Sequence, residues 1–120
     1  MAGINKVILV GHLGNDPDLR YLDGNVAVAS FSLATGETHM KNGVKEAHTE
    51  WHNIILWRTL AEAAVKILKK GKLVYVEGKC RTRSFEHDGV KRYTTEIVAD
   101  SFTVLGRPTD FEDEPGKHIP

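Results

Sequence analysis

Cysteine is almost missing from this chain: Cys80 is the single one among 120 residues, so no internal disulfide can staple the fold. That usage fits a reducing compartment, a cytoplasmic one in the simplest case. No stretch of 18 apolar residues occurs, which argues against a membrane-spanning helix. The opening Met1-Ala2-Gly3-Ile4-Asn5-Lys6 does not have the layout of a signal peptide. Net charge is absent as well, with 16 basic against 16 acidic side chains. A neutral total at first argues against a polyanionic ligand. Aromatic residues make up only 8% of the chain, so any ring in a regular pattern carries information.

What is present begins with size. A chain of 120 residues is one domain, and it can bury roughly two-thirds of its unfolded surface. The neutral total also conceals an asymmetry. Residues 1–57 carry 4 basic and 6 acidic groups, residues 58–92 carry 10 basic and 4 acidic, and residues 108–120 set four acids against Lys117. A basic middle and an acidic end therefore coexist. Residues 1–107 read as the domain and 108–120 as a short, mobile acidic tail.

Hydrophobic patterning predicts strands broken by one helix. Asn5 to Gly11 is a short apolar run that reads as a strand buried on both faces. Pro17 interrupts it, and Asp18 to Tyr21 resumes it. Asp23-Gly24 signals a hairpin leading into a strand from Val26 to Thr35. Gly36 to Thr49 is polar and reads as a long mobile arm holding Lys41 and Lys45. Glu50 to Trp57 is a further strand. Thr59 to Lys70 switches to helical spacing, with Leu60, Ala64, Ile67 and Leu68 on one stripe and a Thr59/Glu62 capping box. Gly71 is suited to ending that helix. Leu73 to Glu86 and Lys91 to Leu105 are the last strands, joined at Asp88-Gly89. Three strands, a helix and two strands give an all-β chain with one helix. The order is that of the OB-fold, a five-stranded, partly open Greek-key barrel with the helix between its third and fourth strands.

The chemistry concentrates in two places. Strand alternation puts Lys79, Arg81, Arg83 and Phe85 on one face, opposite Cys80, Thr82 and Ser84. Cations beside a ring suit phosphates and bases together. Trp51 and Trp57 share a face with Asn53 and Ile55, while His52, Ile54 and Leu56 point into the barrel. That second apolar face must meet a subunit, a ligand, or both. Catalysis has little to work with: Cys80 has no paired base and reads as an inert buried thiol. His48 and His52 have a spacing that ligates metal on a helix and not on a strand. Gly11-His12-Leu13-Gly14 lacks the length of a phosphate loop. An unpaired nucleic-acid strand fits best. The acidic end leaves open an accessory module of the replication machinery that works mainly through protein contacts.

An ordered set of short motifs extends this reading. Asn5-Lys6-Val7-Ile8-Leu9-Val10-Gly11, Leu13-Gly14, Asp16-Pro17 and Arg20-Tyr21 come first. Leu33-Ala34-Thr35, Glu50-Trp51-His52 and Leu60-Ala61-Glu62 follow, then Tyr75-Val76-Glu77-Gly78, Arg81-Thr82-Arg83 and Arg92-Tyr93-Thr94-Thr95-Glu96. Together they resemble bacterial single-stranded DNA-binding proteins. The resemblance implies a cytoplasmic, nucleoid-associated homotetramer that wraps single-stranded DNA in replication, recombination and repair, with no cofactor or metal. It implies stacking by Trp51, Trp57 and Phe85, phosphate contacts from Lys69, Lys70, Arg81 and Arg83 and from Lys41 and Lys45 in the arm, and a subunit interface around His52 and Tyr75. Asp110, Phe111, Glu112, Asp113 and Glu114 resemble the acidic tip with which relatives dock replication and repair proteins. Almost no linker precedes that tip here, the usual final phenylalanine is missing, and His39 stands where many relatives place a tryptophan.

Overall fold

The structure, a computed structural model, describes residues 1–106; Arg107 and the acidic tail, with Asp110, Phe111, Glu112, Asp113 and Glu114, lie outside the described residues. Its elements are β1 (Val7–Leu13), β2 (Asp18–Leu22), β3 (Val26–Lys41), β4 (Val44–Trp57), α1 (Arg58–Ile67), β5 (Leu73–His87) and β6 (Val90–Val104). The strands form one sheet in the order β1-β5-β6-β4-β3-β2, and an added β1–β3 pairing closes five of them into a barrel. Closure rests on two short contacts. His12 and Leu13 pair with Ala34 and Leu33, and Ile54 and Ile55 run parallel to Ile97 and Val98. β2 resumes after Pro17 and lengthens the sheet on the outer edge of β3.

Alternation builds the core. Ala27, Ala29, Phe31 and Leu33 of β3, Ile54 and Leu56 of β4, Val74 and Val76 of β5, and Ile97 and Ala99 of β6 are all buried. Their neighbours in sequence point outward. α1 seals one end of the barrel with Ala61 and Ala64, joined by Leu68 just past its end. The expected capping box does not form. Trp57 occupies the N-cap with no side-chain hydrogen bond, and Glu62 instead accepts a bond from the Tyr21 hydroxyl at 3.1 Å. The helix ends at Ile67, which is exposed, and Gly71 takes its left-handed φ of 92° in the following loop rather than at the helix end.

Three further expectations are corrected. The segment 36–49 is a strand pair rather than an irregular arm: Gly36↔Thr49 through Lys41↔Val44 are paired without interruption. Its turn is Asn42-Gly43, with φ of 52° and 77°, the geometry of a two-residue type I′ hairpin. Polar side chains on both faces hid this strand pair from any hydrophobic period. β1 is not buried on both faces either, since Ile8 and Val10 are exposed; nothing in the described residues covers the outside of β1. Cys80 is exposed rather than buried, because β5 runs past the barrel after Gly78. There the side-chain amide of Asn5 stands in for a ladder partner. Its Nδ2 donates to the Cys80 carbonyl at 2.7 Å, and its Oδ1 accepts the Cys80 N–H at 2.9 Å.

Candidate nucleic-acid interface

Two hairpin arms, β3–β4 and β5–β6, run through the barrel wall and project beyond it. Their registers decide which side chains share a surface. In β4 the outward positions are Trp51, Asn53, Ile55 and Trp57, paired with Ala34, Ser32, Ser30 and Val28 of β3. In β5 they are Lys79, Arg81, Arg83 and Phe85, paired with Val98, Glu96, Thr94 and Arg92 of β6. The parallel contact Ile55↔Val98 joins the two sets on one outer face. The tryptophan row and the cation row, far apart in sequence, therefore flank β6. Trp51 is 59% exposed, Trp57 40% and Phe85 42%, so each ring offers a face to a ligand.

Each ring has a local reason for its place. Trp51 lies over Gly14, where a β-carbon would come within 2.5 Å of its Cζ3; only glycine lets the indole lie flat there. The loop beneath is fixed by Asn15, whose Oδ1 accepts from the Ser32 N–H at 2.9 Å and the Ser32 hydroxyl at 2.6 Å. Asp16 Oδ1 accepts the Lys70 N–H at 2.8 Å. This carries the exposed Lys69-Lys70 pair to the loop that supports Trp51. Trp57 ends β4 just before Arg58, whose φ of 59° turns the chain sharply into α1. Such a backbone angle is uncommon for a residue with a β-carbon.

The charged groups are not equivalent. Arg83 Nε donates to both carboxylate oxygens of Glu96 at 3.1 Å, and its Nη2 reaches Oε2 at 3.1 Å. These bonds raise the Arg83 pKa above its ordinary value. Arg81 faces outward with no such partner. Lys41 and Lys45 fall on opposite faces of the β3–β4 arm. Lys45 pairs with Met40 on the Trp51 side, whereas Lys41 shares the other side with Glu37, His39, Glu46, His48 and Glu50. Only Lys45 continues the outer surface. His52 faces inward near the barrel mouth and contacts Thr35 Oγ1 at 2.9 Å. Tyr75 is on the outside of β5 and donates to Glu77 at 3.0 Å; the carboxylate raises its phenol pKa. The two therefore lie on different faces of the barrel wall. Two residues were missed by the sequence reading. Arg92 stands opposite Phe85, and Arg20 stands on β2 opposite Val28, the partner of Trp57. Their signal was pairing across turns, which a single strand's alternation cannot supply.

An outward sheet face with exposed rings, a row of cations and flanking hairpins, carried on a small closed barrel, places the fold in the OB class. The single-strand binding protein family matches residues 4–105, and the chain belongs to that family. It is 49% identical over 105 residues to the single-stranded DNA-binding proteins of Neisseria meningitidis serogroup A and serogroup B strains. The match covers 86% of this chain and 60% of each relative, so the chain spans about three-fifths of their length. Among solved structures, the Plasmodium falciparum SSB complex with ssDNA superposes with a TM-score of 0.83 at 31% identity, covering 88% of this chain and 98% of the other. A deletion mutant of the single-stranded DNA binding protein from Thermus aquaticus gives 0.78 at 31% identity, covering 88% and 52%.

Proposed function

We propose that this chain binds and protects single-stranded DNA with little regard to sequence, serving replication, recombination and repair in the cytoplasm as a homotetramer. It acts as a binding protein and not an enzyme, with no cofactor. The observation that carries this reading is the shared outer face on which Trp51, Trp57 and Phe85 flank Arg81, Arg83 and Arg92. Rings stack on any base, and cations follow the phosphates, so neither contact selects a sequence. Lys69, Lys70 and Lys45 extend the cationic track, and Lys41 reaches it only from the hairpin's other face. The tetramer reading is supported by Ile8 and Val10, exposed beside Glu77 and Tyr75; a second subunit covering them would remove apolar surface from water. Tyr75 would border that contact, with His52 near the mouth of the barrel. Asp110, Phe111, Glu112, Asp113 and Glu114 are proposed to recruit partner proteins.

The test is a titration with oligo-dT. Trp51 and Trp57 are the chain's two tryptophans, so quenching of their emission reports stacking directly. Quenching at low salt that weakens as salt rises is the expected result. Undiminished emission at saturating oligonucleotide would sink the reading in favour of a protein-contact module. Light scattering of the same samples gives the assembly state.

A further inference from the structure

Glu96 is the charged residue buried among the described residues, at 7% exposure. It is also buried on the outer side of the sheet, where β6 turns Thr94, Glu96 and Val98 toward solvent while Ile97 and Ala99 face the core. A carboxylate so placed is unfavourable unless paired. Its partner is Arg83, which reaches it through Nε and Nη2 with three contacts of 3.1 Å. Two pairing rules converge on this spot. Glu96 lies directly opposite Arg81 and diagonally from Arg83, yet it is Arg83 that it holds. The guanidinium keeps its remaining N–H groups and its flat faces free of the carboxylate.

We infer that Glu96 is a positioning residue of the nucleic-acid interface: it fixes the Arg83 guanidinium on the outer face that the tryptophan row shares and cancels its charge. Arg81 is then the net cation of the Arg81-Thr82-Arg83 segment. This rests on the single-strand reading above and deepens it, because it divides the labour of two arginines that look alike in sequence. Arg81 attracts phosphate at a distance and releases a counterion on binding. Arg83 contributes at short range, through a rigid plane and fixed donors, to whichever nucleotide lies across β6. A neutralised arginine adds nothing to the salt dependence, so the face is less electrostatic than its count of cations suggests.

The experiment compares the full chain with Glu96→Gln and with the double variant Arg83→Gln/Glu96→Gln. Each is titrated with a dT oligomer short enough for one domain over a series of salt concentrations, and thermal denaturation and light scattering check fold and assembly. Glu96→Gln frees the Arg83 charge and is expected to steepen the slope of log affinity against log salt by about 0.7. The double variant keeps the pair uncharged, so it is expected to bind several-fold more weakly at every salt concentration with the slope of the unaltered chain. An unchanged slope in a folded Glu96→Gln protein would overturn the inference. So would a double variant whose slope is shallower by about 0.7, since Arg83 would then be an ordinary phosphate contact; this arm decides alone if Glu96→Gln does not fold. Failure of the unaltered chain to bind would overturn the functional reading itself, and with it this inference.

Discussion

The two hairpin arms share a construction and differ in chemistry. Both are long antiparallel pairs that leave the barrel wall, and both end in two-residue turns with left-handed backbone, Asn42-Gly43 in one and Asp88-Gly89 in the other. On the outer face, however, β3–β4 offers indoles among mostly small neutral groups, with Lys45 as the one cation toward its tip, while β5–β6 offers cations around one phenyl ring. The opposite face of β3–β4 alternates Glu37, His39, Glu46, His48 and Glu50, whereas that of β5–β6 presents Cys80, Thr82, Ser84 and Tyr93. One arm is therefore suited to ring stacking, which salt hardly touches, and the other to charge, which salt screens. Glu37, Glu46 and Glu50, which share that face with Lys41, also help a chain with no net charge to present a cationic surface: these negative groups are turned away from the outer face of that arm.

The strongest way to break this division is to remove a ring. Trp57→Ala or Trp51→Ala is expected to cost about 1–3 kcal/mol of oligo-dT affinity, roughly 5- to 150-fold, by the same factor at low and high salt. A loss that vanishes at high salt, measured by gel shift or anisotropy, would merge the two roles. Removing a charge should do the reverse. Arg81→Ala is expected to weaken binding mainly at low salt and to flatten the salt slope by about 0.7; a loss independent of salt would place Arg81 among the stacking contacts.

A third comparison concerns the turns. A β-carbon in the left-handed region costs about 1–2 kcal/mol, so Gly43→Ala and Gly89→Ala should lower the midpoint of thermal unfolding by similar small amounts. Loss in one arm alone would show that the hairpins are not equivalent in construction. The smallest effect lies on the barrel itself. Tyr21 donates to Glu62 and Tyr75 to Glu77, and both phenols are held above their ordinary value near 10. A folded value raised above the unfolded one means that each bond stabilises fully below about pH 10 and is lost as pH climbs through the folded value. In an alkaline titration of phenolate absorbance, Tyr21→Phe and Tyr75→Phe should each remove one late-ionising group. Variants that leave the late portion of the curve intact would show that these bonds do not persist in solution.

Much of the barrel was legible residue by residue. Val26 to Leu33 and Ile54 to Leu56 alternate cleanly because one side of each strand meets the core, and burial imposes a period of two. Asp88-Gly89 announced its turn because few other residues tolerate the required backbone. The arm at 36–49 was not legible, since a ribbon wet on both faces has no hydrophobic period. Its Asn42-Gly43 turn was the available signal. Cys80 and Ile8 were misjudged for a related reason: a strand's own sequence does not say where the barrel wall stops, or which of its faces another element covers.

Sequence alone determined the order of the barrel strands and the helix, the Asp23-Gly24 and Asp88-Gly89 turns, the inward apolar residues of Val26 to Leu33 and Ile54 to Leu56, and the face shared by Lys79, Arg81, Arg83 and Phe85, because these follow from backbone geometry and local spacing. Only the tertiary structure brought Trp51 and Trp57 onto that same surface, set Glu96 beneath Arg83 and separated Lys41 from Lys45. Those relations depend on pairing between strands distant in the chain, and register across a sheet is fixed by the packing of the whole core rather than by any one strand.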